Sequence, residues 1–105
     1  IAVGFSNGAN IAAAVLLLRP EALAGAVLIR AMVPLASPPK SDLGGKPALI
    51  LSGSADPIVP IENARRLADM LRNANAKVRH ETLPASHGMT QGDLAIAGQW
   101  LQQEF

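Results

Sequence analysis

The chain has 105 residues, enough for one domain with a real core and too few for two. A formal net charge of +1 gives no reason to expect nucleic acid or an anionic membrane as a partner, and no apolar run approaches the ~20 residues of a membrane span. The absence of cysteine excludes disulfides, thiolate metal sites and cysteine nucleophiles, and it fits a reducing, cytoplasmic compartment.

Half of the residues are apolar, yet the aromatics are only two Phe and one Trp, so Ala, Leu, Val and Ile must build the core. Ile1-Ala2-Val3 is β-favouring and runs directly into a glycine turn. Exposed termini are usually polar and loosely held. This start therefore reads as the end of a buried strand whose N-terminal companions precede it, a mature N-terminus after processing being the plainer alternative.

Ala9 to Arg19 is the first helix, apolar nearly all round and hence buried on most sides, and Pro20 stops it. Ala24 to Ile29 is a continuous apolar strand of the kind covered on both faces. Residues 30–47 hold four prolines and two adjacent glycines and read as an irregular connector. Ala48 to Leu51 is the third strand, ending in the turn-rich Ser52-Gly53-Ser54-Ala55-Asp56-Pro57.

Pro60 suits the first position of the next helix. Ile61, Ala64, Leu67, Ala68 and Leu71 recur along it at helical spacing, opposite a charged face. Val78 to Leu83 roughly alternates polar and apolar residues, as a sheet edge with one wet face would. Thr90 with Asp93 three residues on has the form of a capping box. The last helix is expected to bury Leu94, Ala97, Trp100, Leu101 and Phe105. Strand and helix alternate without repeats or linkers, so residues 1–105 read as one α/β domain built on a parallel sheet.

Gly4-Phe5-Ser6-Asn7-Gly8 has the G-x-S-x-G spacing, with a strand before it and an apolar helix after it. That context is what a nucleophile elbow requires: a bend so sharp that the serine hydroxyl stands clear of the sheet. Gly4 and Gly8 are expected to remove side chains that would collide in the bend. The backbone N–H of Asn7 would then face developing negative charge at a helix start. The plain alternative is that Ser6 is a helix N-cap.

A serine hydroxyl needs a base, and the base needs a group to hold its tautomer. Of the two histidines, His80 lies inside a strand and reads as solvent-facing. His87 lies in a loop just beyond that strand, where the catalytic groups of open parallel sheets gather. Asp42, Asp69 and Asp93 have ordinary readings as a loop residue, a helix-face residue and a dipole partner. Asp56 follows the third strand, and its plain reading is a turn residue before Pro57. The order Ser6, Asp56, His87, each after its own strand, is the one expected of α/β-hydrolases.

Residues 4–10, residues 53–60 and Ser86-His87-Gly88 resemble the three catalytic segments of the phospholipase/carboxylesterase group of α/β-hydrolases. Dienelactone hydrolases, whose nucleophile is usually cysteine, are near relatives. The resemblance covers essentially the whole chain. It implies the C-terminal portion of an α/β-hydrolase fold, about four parallel strands with flanking helices, the N-terminal strands lying upstream. It implies Ser6, Asp56 and His87 as the triad and Asn7 as one oxyanion donor, the other coming from an upstream loop. It also implies that Arg30, Met32, Val33, Leu35 and Met89 line the acyl or alcohol pocket. Plain packing is the alternative for the apolar members, and a structural ion pair for Arg30.

The implied reaction is hydrolysis of a small-molecule carboxylic ester through an acyl-enzyme, with no metal or organic cofactor. Thioesterase, lipase and perhydrolase chemistry use the same triad, and an inactive interaction module or fragment is the other class. An apolar first strand at a sheet edge is an association hazard, and a homodimer is open.

Overall fold

The computed structural model describes residues 1–33 and 42–105. Four strands, β1 (Ala2–Phe5), β2 (Ala26–Ile29), β3 (Pro47–Gly53) and β4 (Lys77–Leu83), form one sheet in the order β1-β2-β3-β4. Every neighbouring pair is parallel, with Phe5 opposite Ile29, Ile29 opposite Leu51, and Gly53 opposite Leu83. All four chains therefore leave the sheet at the same edge. Whatever follows each strand is delivered to one rim.

Helices α1 (Asn7–Leu18) and α2 (Ile61–Asn73) cover one face, and α3 (Gln91–Glu104) covers the other. Side chains alternate across a strand, and this divides the core in two. Ala26, Leu28, Ala48 and Ile50 meet Ala13, Leu16 and Leu17 of α1 and Leu67 and Leu71 of α2. Val27, Ile29, Leu49 and Leu51 meet Ala97 and Trp100 of α3. β2 is apolar at every position because both of its faces are buried.

Several boundaries differ from expectation by one or two residues. The second strand begins at Ala26, and Gly25 just before it approaches the Pro47 carbonyl too closely to admit a Cβ. Pro60 is the N-cap of α2, in extended backbone, and Ile61 opens the helix. Helix α1 is not buried on most sides, since Ile11 and Leu18 are both more than half exposed. On α3, Ala97 and Trp100 are buried and Leu101 is half-buried, whereas Leu94 and Phe105 are exposed. A single stripe of α3 faces the sheet; Leu94 falls outside it, and Phe105, just past the helix, sets its ring edge-on to Trp100. Thr90 and Asp93 do form the expected capping box, the Asp93 N–H donating to Thr90 and the Thr90 N–H to Asp93. Among the described residues, no helix is long and apolar enough to cross a membrane.

Trp100 is 2% exposed and is the largest side chain of its layer. Replacing it with Ala should lower stability by about 3–5 kcal/mol, because the facing strands cannot collapse into the space. Urea unfolding of the variant beside the parent measures this.

Candidate functional site

Three of the four chain exits converge on Ser6, Asp56 and His87. Ser6 stands between β1 and α1 with φ 56° and ψ −116°, a left-handed conformation that a non-glycine residue adopts at a cost of about 1–3 kcal/mol. Two backbone bonds hold it there, from the Ser6 N–H to the Ile29 carbonyl (2.8 Å) and from the Asn10 N–H to the Ser6 carbonyl (3.0 Å). Gly4 is needed beneath the bend, since a Cβ there would lie 2.6 Å from backbone atoms of Gly8 and Ala9. Gly8 does not serve the expected purpose here: among the described residues, a Cβ there would meet nothing within 4 Å.

The Ser6 side chain makes no capping bond to α1. Its Oγ instead lies 2.9 Å from His87 Nε2, and His87 Nδ1 lies 2.8 Å from Asp56 Oδ2. The carboxylate draws the ring proton to Nδ1, leaving Nε2 free to accept from the serine hydroxyl. The other Asp56 oxygen accepts the N–H groups of Ile58 (2.8 Å) and Val59 (3.0 Å), so both oxygens are occupied and oriented. The Asp56 side chain is 1% exposed and that of His87 19%. Exposure therefore rises from a dry carboxylate to a reachable imidazole. Asn7 is the first residue of α1, where backbone N–H groups have no acceptor within the helix.

The turn after β3 and the loop after β4 are built as one unit. Ser54 N–H donates to the Leu83 carbonyl and Ala55 N–H to the Ala85 carbonyl. Gly53 permits this approach, because a Cβ there would fall 2.4 Å from the carbonyl oxygens of Ala85 and Ser86.

The remaining predicted residues separate. Arg30 is buried, and its guanidinium forms a two-pronged pair with Asp93 at 2.9 Å per prong. It also donates to the carbonyls of Ser86, Leu51 and Gly88. All five of its N–H donors are thereby committed, so none is left to bind a substrate carboxylate or phosphate. Met32 and Val33 are half-buried, and Val33 packs against the α1–α2 core layer. Their backbone N–H groups are received by Asn10, the last residue of the segment 4–10, and by Asn63, which no motif singled out. Met89 is exposed two residues beyond His87, and Phe5 sets its ring 5.6 Å from the His87 ring. Leu35 lies outside the described residues.

A second serine–histidine contact joins Ser52 Oγ to His80 Nε2 at 2.8 Å. His80 is therefore half-buried and bonded rather than solvent-facing. Burial, and then the nearby Arg72 and Arg65, hold it below the ordinary histidine value, which keeps it neutral. Among the described residues it has no carboxylate hydrogen bond, and Ser52 lies within a regular strand. The pair satisfies two buried polar groups.

A profile of the Phospholipase/Carboxylesterase family matches residues 1–104. The protein MhqD of Bacillus subtilis (strain 168) is 36% identical over 103 residues, which cover 98% of this chain and 52% of MhqD. The crystal structure of a Bacillus cereus carboxylesterase superposes with a TM-score of 0.96 at 39% identity, covering 100% of this chain and 50% of that one. A carboxylesterase from Mesorhizobium loti superposes with a TM-score of 0.90 at 35% identity, covering 95% of this chain and 47% of that one. The parallel sheet and its three helices thus match the C-terminal part of an α/β-hydrolase fold, and the chain spans about half the length of these relatives.

Two carboxylates carry the acid sensitivity of this region. Burial pushes Asp56 up, but the Val59 N–H, His87 and the Ile58 N–H together outweigh it and hold the group below the ordinary aspartate range. Burial likewise pushes Asp93 up, and Arg30 with the two Thr90 donors brings it below that range. A lowered folded value means stability that is complete above the unfolded value of about 3.9 and is lost as pH falls through the folded one. Resistance to urea should therefore fall below about pH 4, and stability unchanged down to pH 3 would contradict the assignment. Asp93→Asn should cost about 3–5 kcal/mol at neutral pH, because it leaves the Arg30 charge buried and unpaired.

Proposed function

This chain belongs to the phospholipase/carboxylesterase family, and we propose that in its complete protein it carries the nucleophile, base and acid of a serine esterase. The observation that carries the reading is the relay Ser6 Oγ–His87 Nε2–Nδ1–Asp56, with contacts of 2.9 and 2.8 Å, set on a strained turn at a helix start. Ordinary packing does not require a serine to leave its capping role and adopt a left-handed backbone.

In this reading His87 Nε2 takes the Ser6 proton as Oγ attacks the carbonyl carbon of a carboxylic ester. The oxygen that gains negative charge is received by the Asn7 N–H, whose position at the start of α1 also suits an anion. His87 then gives its proton to the departing alcohol. Water, deprotonated by the same nitrogen, attacks the acyl-serine; as the acyl–oxygen bond breaks, His87 returns the proton to Ser6 Oγ and the acid leaves. Asp56 stays ionised throughout, holding the ring tautomer and stabilising the imidazolium. Phe5 supplies apolar surface beside the His87 ring, with Met89 exposed further along the same loop, which suits an ester with an uncharged acyl or alcohol group.

In the full-length protein, Ser6→Ala should lower kcat/KM for p-nitrophenyl acetate by at least about 10³-fold and abolish labelling by a fluorophosphonate probe. Retained turnover would refute the nucleophile assignment. Comparing short aryl esters, long-chain esters and acyl-CoA thioesters then separates esterase from lipase and thioesterase. Gly53→Ala should act at a distance: its Cβ must displace the Ala85–Ser86 backbone, and a shift of about 1 Å in His87 can cost about 10²-fold in kcat. Turnover and labelling rate, each normalised to folded protein, measure that effect.

A further inference from the structure

We infer that the buried Arg30–Asp93 pair is the positioning device of His87, setting the base against Ser6 and Asp56. The inference rests on the reading of His87 as the base.

Backbone bonds tie the loop that carries His87 only as far as Ala85. Among the described residues, residues 86–89 take part in no backbone–backbone hydrogen bond. The carbonyls of Ser86 and Gly88, on either side of His87, are held by one side chain: Arg30 donates to them at 2.9 and 3.3 Å. The same guanidinium holds the Leu51 carbonyl at 3.2 Å and both oxygens of Asp93 at 2.9 Å. Asp93 in turn accepts from the N–H and hydroxyl of Thr90, closing the far end of the loop onto the first turn of α3. One planar cation thus spans the end of β3, both flanks of His87 and the start of α3.

The cost of this arrangement argues against packing as its purpose. Both partners are fully buried, and an apolar pair of similar volume commonly serves stability as well or better. Arg30 also has φ 58°, a left-handed conformation unfavourable for a residue with a Cβ. Its own N–H donates to the Leu51 carbonyl, which fixes the turn that aims the side chain across the strand ends. Strain and desolvation are accepted together at the one place from which a fork of donors reaches both sides of His87. A rigid guanidinium suits this task, since its donors lie in one plane with fixed directions.

The test uses the full-length protein with Arg30→Lys and the double variant Arg30→Met with Asp93→Leu. Lysine keeps a buried cation opposite Asp93 but cannot span both loop carbonyls. The double variant replaces the pair with apolar groups, so no charge is left unpaired. Turnover of p-nitrophenyl acetate is normalised by fluorophosphonate titration of reactive Ser6, and thermal midpoints are recorded alongside. Positioning predicts that kcat and the labelling rate both fall about 10-fold or more while KM changes less than about 3-fold, with the larger loss in the double variant. Unchanged kcat per titrated site in either variant, whatever its thermal midpoint, would overturn the inference, as would a loss confined to KM. Ser6→Ala and His87→Ala run in the same assay separate the two readings. If both retain turnover the proposed function fails, and if both lose it while the Arg30 variants do not, only the positioning role fails.

Discussion

A buried guanidinium is tolerated only if every donor finds an acceptor and its charge finds a counter-charge, and Arg30 imposes that condition on the working rim of this protein. Meeting it requires the end of β2 to lie in register with Leu51 of β3 and the loop after β4 to turn its carbonyls inward. It also requires α3 to begin at the residue that delivers Asp93. Each of these is a statement about the position of His87. The ion pair therefore converts a condition of solvation into one of geometry. It works through backbone carbonyls, so the identities of Ser86 and Gly88 matter less than their paths.

The opposite side of the site is held by strain of another kind. Ser6 occupies left-handed backbone because β1 stops and α1 starts with one residue between them. The bend is enforced from below by the absence of a Cβ at Gly4 and from the side by the bond to Ile29. Nothing in α1 asks for the hydroxyl, and it is left directed at His87. Asp56 is fixed differently again, by two consecutive N–H groups of its own turn. Ser6, His87 and Asp56 are thus held by different means, through strain, a shared cation and a local turn.

Two serine–histidine contacts of nearly equal length occur in one small sheet, and residue type does not distinguish them. Their surroundings do. His87 has a buried carboxylate on its second nitrogen and solvent within reach. His80 faces the flank of α2, where burial and two arginines disfavour its protonation. A histidine that resists accepting a proton is poorly suited to act as a base.

The chain by itself determined what depends on local pattern. The apolar run Ala24–Ile29 gave away a doubly covered strand, the spacing Ala64–Leu67–Ala68–Leu71 an amphipathic helix, and Thr90 with Asp93 a helix start. Gly4-Phe5-Ser6 between strand and helix marked the sharp turn from β1 into α1. The order of serine, aspartate and histidine after separate strands was legible because parallel strands deliver their exits to one rim. The partners that lie far apart in sequence were decided only by the tertiary structure. Arg30 read equally well as a substrate contact, His80 as a wet strand residue and Phe105 as core. Arg30 meets Asp93 across 63 positions and Ser52 meets His80 across 28. Such pairs carry no periodicity, since they are set by which chain ends the sheet brings together and how little water remains there.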